Sequence, residues 1–373
     1  MTHPAADQYL ILGSTIMLLV LGLVMVLSAS SVYAYTTAGS TFALFAKQLL
    51  WAGLGLGLFF LVARTPLSWW RRMAYPMLGL TLFALVLVLV PGIGVEVNGN
   101  RNWLDIGGPF RVQPSEATKL VLIVWGASVL ATKHALLGQW RHLLVPVLPV
   151  SAIALVLVLV GGDLGTALVI MAVVGALYFI AGAPWRLFAL LGGIAVAGVV
   201  ALSVTTPYRL ERFSTWLNPE ADYLGSGWQA VHSKFALATG GWWGVGLGAS
   251  REKWGGLPEA HTDFIFAIVG EELGLVGTLT VLLLFAGLIL AGIRIALRAT
   301  DRFVRLTAAG ITFWIAFQAV VNIGAVLGLL PITGVPLPLV SYGGSALLPT
   351  LAGLGLLLAL SRHPSADRVI DVR

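Results

Sequence analysis

The chain has 373 residues, of which 58% are hydrophobic and only 10% are charged, and its formal net charge is +6 at pH 7. An ordinary soluble domain carries about 25% charged residues, so this composition excludes a water-soluble globular protein and predicts an all-α protein that crosses a membrane many times. The sequence contains no cysteine, which excludes a disulfide framework, a thiolate nucleophile and a thiolate metal site.

Apolar runs of about 17 to 25 residues are long enough to span a bilayer, and the sequence contains about ten such runs. In chain order the predicted spans are Tyr9–Ser28, Leu44–Val62, Tyr75–Val90, Ala117–Ala131, Leu144–Val160, Leu164–Ala181, Leu187–Val204, Asp263–Ile293, Leu306–Leu327 and Ser341–Ser361. Ser28-Ala29-Ser30 is interpreted as the end of the first span, and Gly161-Gly162 as a tight turn before a buried Asp163. We expect a single transmembrane domain over 1–373, with outward polar loops at about 92–116 and 205–262, the larger one between the seventh and eighth spans.

The basic residues are distributed unevenly between the two sides of the predicted membrane domain. Ten spans put both termini on one side, which carries 13 of the 22 basic residues but only four acids. The 13 are Arg64, Arg71, Arg72, Lys133, Arg141, Arg186, Arg294, Arg298, Arg302, Arg305, Arg362, Arg368 and Arg373, and the acids are Asp7, Asp301, Asp367 and Asp371. Because cytoplasmic loops are rich in Lys and Arg, we expect both termini in the cytoplasm. The net positive charge then reflects topology, and no nucleic-acid partner is predicted.

The end of the second polar loop places ionisable groups at the border between water and lipid. His261, Thr262 and Asp263 precede the eighth span, and Glu271 and Glu272 follow about 12 Å deeper. Ionisable groups in membrane helices are costly and therefore indicate function. The alternative is that Asp263 only caps the helix, where a carboxylate interacts favourably with the helix dipole. The sequence alone favours neither.

The first polar loop presents cationic and acidic groups. Arg101 and Arg111 carry forked donors that suit phosphate or carboxylate. Glu116 and Lys119 are three residues apart and share a helix face, so they can pair. Together with Asp163 they could form an acid–base–acid cluster that binds a cation, a proton or a substrate head group, or that holds the helices together.

Two further stretches contain polar or small residues at notable positions. Lys234 lies in the second loop among Arg and Trp residues, a mixture that suits contact with lipid head groups. The ninth span carries Gln318 and Asn322, and Gly343-Gly344 at the start of the tenth span permit close helix approach.

Taken together, these stretches resemble the SEDS family (shape, elongation, division, sporulation) of bacterial cell-wall proteins, which includes the FtsW and RodA branches. The matching motifs are Gly22–Ser30, Arg101–Trp103, Gln113–Lys119, Asp163–Ala167, Pro258–Gly274 and Leu329–Ser345. They cover nearly the whole chain in the order of the family. The opening at 22–30 and the form of 268–274 resemble the FtsW branch more than the RodA branch. Gly161-Gly162 departs from the family, which often has Gln-Pro there.

The resemblance implies an enzyme, a peptidoglycan glycosyltransferase that polymerises lipid II, an undecaprenyl diphosphate-linked disaccharide peptide. It implies action in cell division at the outer face of the cytoplasmic (inner) membrane, with a class B penicillin-binding protein and other divisome membrane proteins as partners. Asp263 matches the family's essential aspartate, and we expect it to be the general base of an inverting reaction that forms β-1,4 glycan strands. The expected substrate-binding residues are Arg101, Trp103, Arg111, Glu116, Lys119, Asp163, Lys234, His261 and Thr262. No organic cofactor is expected, while Mg²⁺ or Mn²⁺ could help to neutralise the diphosphate.

Three alternatives stay open at this point. The chain could be a lipid II flippase or an ion-coupled carrier that uses Glu116, Lys119 and Asp163 as a midplane site. It could be a RodA-type elongation polymerase, or a non-catalytic divisome scaffold, which would leave Asp263 unexplained.

Overall fold

The computed structural model describes residues 4–97, 99–107, 110–193, 198, 216–223, 225 and 227–362, and it is a bundle of membrane-spanning helices. Within these residues seven helices are long and apolar enough to cross a membrane, and two shorter apolar helices, Leu164–Ile180 and Gly344–Leu360, accompany them. Nine of the ten predicted spans therefore correspond to helices. The seventh, Leu187–Val204, falls mostly outside the described residues, which are helical at 185–193.

The secondary structure begins with three long helices and continues with a small sheet before the remaining helices. The helices are α1 (Pro4–Ala38), α2 (Ala43–Val62), α3 (Leu67–Leu89), α4 (Pro114–Thr132), α5 (Trp140–Leu144), α6 (Val147–Val160), α7 (Leu164–Ile180), α8 (Trp228–Gly240), α9 (Ile265–Arg298), α10 (Arg302–Val326) and α11 (Gly344–Leu360). The strands are β1 (Gly94–Val97), β2 (Asn100–Gly107) and β3 (Phe110–Val112), and short 3₁₀ turns lie at His134–Leu136, Pro219–Asp222 and Glu252–Trp254.

The first polar loop is mostly a three-stranded antiparallel sheet, which the sequence interpretation missed. The strand order is β1-β2-β3, and β1 meets β2 across the pair Val97 and Asn100. The residues between this pair are Asn98-Gly99, and Asn-Gly in a sequence is a strong hairpin signal, because a type I′ turn needs a positive φ at both central residues. Asn98 itself lies outside the described residues. Gly99 has φ +79°. The glycines and asparagines of this loop indicate tight turns, and Asn-Gly further indicates that the turn joins two strands.

Helices α1 and α9 pack against each other in antiparallel directions. At one end Asp7 accepts hydrogen bonds from Arg294 (3.5 Å) and Arg298 (2.8 Å). At the other end the Ser28 hydroxyl donates to Glu272 at 2.6 Å. The prediction that the first span ends at Ser28 was wrong, because α1 continues to Ala38. Ser28 lies within the helix and hydrogen-bonds to the buried Glu272 carboxylate.

Charged side chains gather at the end of the bundle that holds the start of α1. Arg71 pairs with Asp301 at 2.5 Å, and Arg362 donates to the Ala63 carbonyl at 3.2 Å. Burial raises the pKa of Asp301, but hydrogen bonds from Arg71 and from the first backbone amides of α10 outweigh it and lower the pKa. Basic residues predicted to share one side of the membrane thus lie together in space.

Helices α4 and α10 form the centre of the bundle. Buried residues make up 78% of the apolar window of α4 and 72% of that of α10, against 22% for α3. The two helices approach closely where α10 has a glycine, since a Cβ built on Gly310 would lie 2.7 Å from a methyl group of Ile123. The polar side chains of Glu116, Lys119, Gln318 and Asn322 on these two helices are therefore buried in protein and do not face lipid.

Helix α9 is broken at Gly274. This residue has φ 65° and ψ −161°, a conformation essentially restricted to glycine. A helix break leaves backbone groups without partners, and inside a membrane these must be satisfied by the protein itself.

A glycine-rich segment supplies the missing partners. The amides of Val245 and Gly246 donate to the carbonyls of Glu271 (2.9 Å) and Glu272 (3.1 Å). On the far side of the break, the Leu275 amide donates to the carbonyl of Gly241 at 2.9 Å. The long outer loop is thus hydrogen-bonded to both sides of the break in α9. Residues 265–273, before the break, form a separate helical segment, the short rod.

Candidate functional site

Asp263 lies in the turn that precedes α9, at the end of the bundle opposite the one where Asp7 pairs with Arg294 and Arg298. Its side chain is half-buried. The helix starts at Ile265 with Phe264 as its N-cap residue, so Asp263 does not occupy the capping position that the alternative interpretation required. A Cβ built on Gly334 would lie 3.6 Å from the Asp263 Oδ2 atom, which places the segment between α10 and α11 beside the carboxylate.

The backbone of the Asp263 turn is held at three successive carbonyl groups. The Tyr342 amide donates to the His261 carbonyl at 3.0 Å. The Ser341 hydroxyl donates to the Thr262 carbonyl at 2.6 Å, and the Asn322 side-chain amide donates to the Asp263 carbonyl at 2.8 Å. The turn is therefore fixed from α10 and from the entry to α11.

The two residues before Asp263 are engaged within the protein. The ring of His261 stacks on Tyr33 with centroids 5.2 Å apart and lies 5.6 Å from Tyr342. Burial lowers the pKa of His261 more than the nearby Glu259 carboxylate raises it, so the imidazole is neutral at neutral pH. The Thr262 hydroxyl donates to the Glu259 carboxylate at 2.7 Å. The roles of His261 and Thr262 as substrate ligands stay predictions.

Glu116 and Lys119 form the ion pair that their spacing predicts. The Lys119 ammonium lies 2.7 Å from Glu116 Oε1 and 3.2 Å from the side-chain oxygen of Gln318, and 5.5 Å from the centre of the Trp314 ring. The two charged side chains are only 1% and 4% exposed. The pair therefore supports the site from within the bundle, and its direct contact with a substrate stays a prediction.

Asp163 lies against the first turn of α4, where the sequence placed it. It caps α7 by accepting from the Thr166 amide at 2.9 Å, and it also accepts from the Gln113 side chain at 2.7 Å. Lys119 bonds to Glu116 and Gln318, so Asp163 lies in the same region as this ion pair but is held by hydrogen bonds of its own. The carboxylate thus ties α7 to the entry of α4.

The glycines before Asp163 leave room for the sheet. A Cβ on Gly161 would lie 2.8 Å from the Arg101 carbonyl, and one on Gly162 would lie 2.4 Å from the Asn100 side-chain oxygen. Strand β2 therefore sits directly on the α6–α7 turn, which explains why this chain has glycines where the resemblance leads one to expect Gln-Pro.

The predicted cationic ligands lie at the surface of the same end. Arg101 is partly exposed and 3.7 Å from Glu96. Arg111 is exposed, and its carbonyl accepts from the Ser345 hydroxyl at 3.0 Å. Trp103 is half-buried in β2. These placements leave guanidinium groups available to an anionic substrate.

Lys234 lies on α8, close to the end of α10. Its side chain is exposed and passes over Gly328 just beyond α10, where an added Cβ would lie 2.7 Å from the lysine Cε. Ser233 next to it anchors α8 by donating to the Val326 carbonyl at 3.1 Å.

Glu271 and Glu272 do not join the Asp263 turn. Glu271 accepts from the Ser250 hydroxyl (2.5 Å) and from the Arg251 amide (2.8 Å), and Glu272 pairs with Lys253 at 3.2 Å. These buried carboxylates fasten the outer loop and α1 to the broken helix. Among the described residues no group of three or more His, Cys, Asp or Glu side chains is arranged to hold a metal ion.

The chain is similar to known proteins in family, sequence and structure. Residues 8–366 match the model of a family described as cell cycle protein, which comprises FtsW, RodA and SpoVE. A probable peptidoglycan glycosyltransferase FtsW of Mycobacterium tuberculosis is 44% identical over 361 residues, which are 97% of this chain and 69% of that protein. Stage V sporulation protein E of Bacillus subtilis is 42% identical over 97% of this chain and 99% of its own length.

Two solved structures are similar over almost the whole chain. A chain of a peptidoglycan synthase complex that coordinates polymerization and crosslinking is 34% identical, with a TM-score of 0.76 over 94% of this chain and 96% of that chain. The rod shape determining protein RodA of Thermus thermophilus is 32% identical, with a TM-score of 0.70 over 95% of this chain and 96% of its own.

Proposed function

The chain belongs to the FtsW, RodA and SpoVE family and is a peptidoglycan glycosyltransferase, and we propose that it polymerises lipid II with Asp263 as the general base. The observation that carries this proposal is a half-buried carboxylate in a turn fixed at three carbonyls, with exposed arginines at the same end of the bundle.

The proposed reaction joins two lipid-linked sugars with one inversion at the donor anomeric carbon. The acceptor 4-hydroxyl attacks that carbon, the bond to the diphosphate breaks, and undecaprenyl diphosphate leaves with the bonding electron pair. The hydroxyl proton passes to the Asp263 carboxylate, because a sugar hydroxyl is a poor nucleophile at neutral pH. Such a positioned base contributes about 10²- to 10⁴-fold to the rate.

The leaving diphosphate needs charge neutralisation and not protonation. We assign this role to Arg111 and Arg101, whose guanidinium groups donate bidentate hydrogen bonds to phosphate oxygens, with Lys234 as a further cation. The buried Lys119 then acts through Glu116 and Gln318 and not by touching the diphosphate. A divalent cation can neutralise a diphosphate equally well, so the assay should compare Mg²⁺, Mn²⁺ and a chelator.

The test is polymerisation of labelled lipid II by purified protein. Asp263→Ala and Asp263→Asn should both lose activity by about 10²-fold or more, since neither side chain can accept a proton. Glu220→Gln replaces an exposed acid of the same outer loop and should retain activity. Glycan strands of normal length and rate from Asp263→Asn would refute the assignment.

Transport is the alternative from another functional class. The charged candidates lie at the starts of α4, α7 and α9, at one end of the bundle, whereas a carrier site is expected near the bilayer midplane. A lipid II translocation assay in liposomes, run beside the polymerisation assay, separates the two functions. Translocation without polymerisation would favour the carrier.

We also propose the setting of the reaction. The chain is a multi-pass membrane protein, and we place it in the cytoplasmic (inner) membrane with both termini in the cytoplasm and Asp263 outside. The similar chain in a peptidoglycan synthase complex and the FtsW-named relatives support a class B penicillin-binding protein and other division proteins as partners. Addition of the purified class B partner should raise the polymerisation rate.

A further inference from the structure

Two neutral side chains hold the backbone of the Asp263 turn, and nothing in the proposed chemistry has yet used them. Asn322 on α10 is 2% exposed, and Ser341 just before α11 is 6% exposed. Both are therefore inside the protein and cannot bind substrate directly. Each donates a hydrogen bond to the turn, at the successive carbonyls of Asp263 and Thr262.

The orientation of the Asn322 amide is fixed by its surroundings. Its nitrogen lies 2.8 Å from the Asp263 carbonyl and 2.8 Å from the Val335 carbonyl. Two carbonyl oxygens at that distance require the NH₂ group and not the amide oxygen, because an oxygen would be repelled by both. One side chain thus uses both of its donors to connect the Asp263 turn to the segment that borders the carboxylate.

Ser341 performs a matching double role. Its hydroxyl donates to the Thr262 carbonyl at 2.6 Å and accepts from the Leu337 amide at 2.8 Å. It therefore links the same turn to the same bordering segment as Asn322 does. The Tyr342 amide donates to the His261 carbonyl at 3.0 Å, so a third residue of the turn is also held by a hydrogen bond.

Geometry at a general base matters strongly. A displacement of about 1 Å in a reacting group can reduce a rate by about 10²-fold. A turn that precedes a helix has no regular backbone hydrogen bonds of its own to hold it. The direction of the Asp263 side chain therefore depends on hydrogen bonds from neighbouring segments, and these bonds are called tethers below.

We infer that Asn322 and Ser341 are positioning residues, which set the direction of the Asp263 carboxylate toward the acceptor hydroxyl by holding the carbonyls of Asp263 and Thr262. The inference rests on the proposed role of Asp263 and adds the residues through which α10 and the entry to α11 control it. Loss of either tether lets the turn move while the carboxylate itself stays chemically intact.

The test is steady-state polymerisation of lipid II by the full-length protein. Asn322→Leu removes both donors at similar volume, and Asn322→Asp keeps the shape but presents a carboxylate that cannot donate to two carbonyls. Both should lower kcat by about tenfold to a hundredfold with KM for lipid II within about twofold, because the carboxylate is misdirected while the substrate contacts remain. An unchanged kcat in either folded variant would overturn the inference.

Ser341→Ala keeps the inference testable if the Asn322 variants do not fold. It removes one small hydroxyl and should lower kcat by about fivefold or more with an unchanged KM. Because both tethers act on one turn, the double variant Asn322→Leu/Ser341→Ala should lose less than the product of the two single losses. A rise in KM with kcat kept would assign these residues to substrate binding and reject a positioning role.

Thr307→Val is the matched control on the same helix. Thr307 is fully buried at the opposite end of α10, and its hydroxyl has no hydrogen-bond partner among the described residues. Its kcat and KM should equal those of the wild type. If Asp263→Asn is inactive but the tether variants are normal, only this inference fails; if Asp263→Asn is active, the proposed function itself fails.

Discussion

At the scale of single residues, His261 and Asp263 are two positions apart in the chain but differ in what surrounds them. His261 is packed between Tyr33 and Tyr342, whereas Asp263 borders Gly334, which has no side chain to cover it. The histidine is thus packed against aromatic rings that support the turn, whereas the aspartate carboxylate lies beside a glycine.

The buried state of His261 predicts a pH dependence of stability. Its folded pKa lies below the ordinary value of 6.5, so as the pH falls through that value the unfolded chain takes up a proton that the folded chain does not. The thermal midpoint should therefore decrease as the pH is lowered from about 7.5 to about 5, and His261→Phe should make this decrease smaller. An equal decrease for the wild type and the variant would contradict the prediction.

The sequence reveals some site residues and hides others for a physical reason. A charge such as Asp163 or Lys119 stands out in an apolar run, because its burial is expensive without a partner. Asn322 is also visible as a polar residue of the ninth span, but neither it nor Ser341 reveals its partner in the sequence, since amides and hydroxyls are common in membrane helices. Their partners are backbone carbonyls that are distant in sequence, so only the fold brings their role to light.

At the scale of elements, the two parts of α9 depend on one glycine. A Cβ on Gly274 would lie 2.4 Å from the Gly244 amide nitrogen, and its backbone conformation is strained for any other residue. Gly274→Ala should lower the free energy of unfolding by about 2 kcal/mol or more. Denaturant titration of the purified protein measures this change.

Gly79→Ala is the control for that measurement. Gly79 lies within α3, and an added Cβ meets no atom within 4 Å. Alanine favours a helix over glycine by about 0.5–1 kcal/mol, so this variant should be as stable as the wild type or slightly more stable. A loss for Gly79→Ala equal to that of Gly274→Ala would show that the break itself is unimportant.

The ion pair of α4 offers a second test at this scale. Lys119→Met leaves the Glu116 carboxylate buried without its partner, which should cost about 3–5 kcal/mol of stability. The double variant Glu116→Gln/Lys119→Met removes both charges and should recover most of that loss. Equal destabilisation of the single and double variants would mean that the pair contributes little, and the thermal midpoint of each protein decides between the outcomes.

Most helices could be predicted from the sequence, but their ends could not. Apolar runs identify the parts that face lipid, whereas α1, α3 and α10 begin before their predicted limits, in polar residues. Asp7 of α1 and Arg71 of α3 are examples, since each lies outside the predicted span and pairs with a charged side chain more than 200 residues away. The break at Gly274 could be suspected from the length of the run, but its position depends on the inserted loop.

At the scale of the whole molecule, the arrangement of charges predicts which end faces the cytoplasm. The sequence contains no cysteine, so single cysteines can be introduced without further changes. A membrane-impermeant maleimide should label Glu220→Cys on spheroplasts, but Gly138→Cys only after permeabilisation, because the positive end faces inward. The reverse pattern would invert the topology and exclude Asp263 as an extracytoplasmic base.

The break in α9 also sets the position of Asp263 along the chain. Residues 275–298 alone measure about 36 Å, more than the hydrocarbon thickness of about 30 Å, so they anchor the protein without help from residues 265–273. The short rod is therefore a spacer of fixed length. One inserted or deleted residue within it would rotate the Asp263 carboxylate by about 100° and shift it by about 1.5 Å, so we expect a protein that still inserts into the membrane but points its proposed base away from the acceptor sugar.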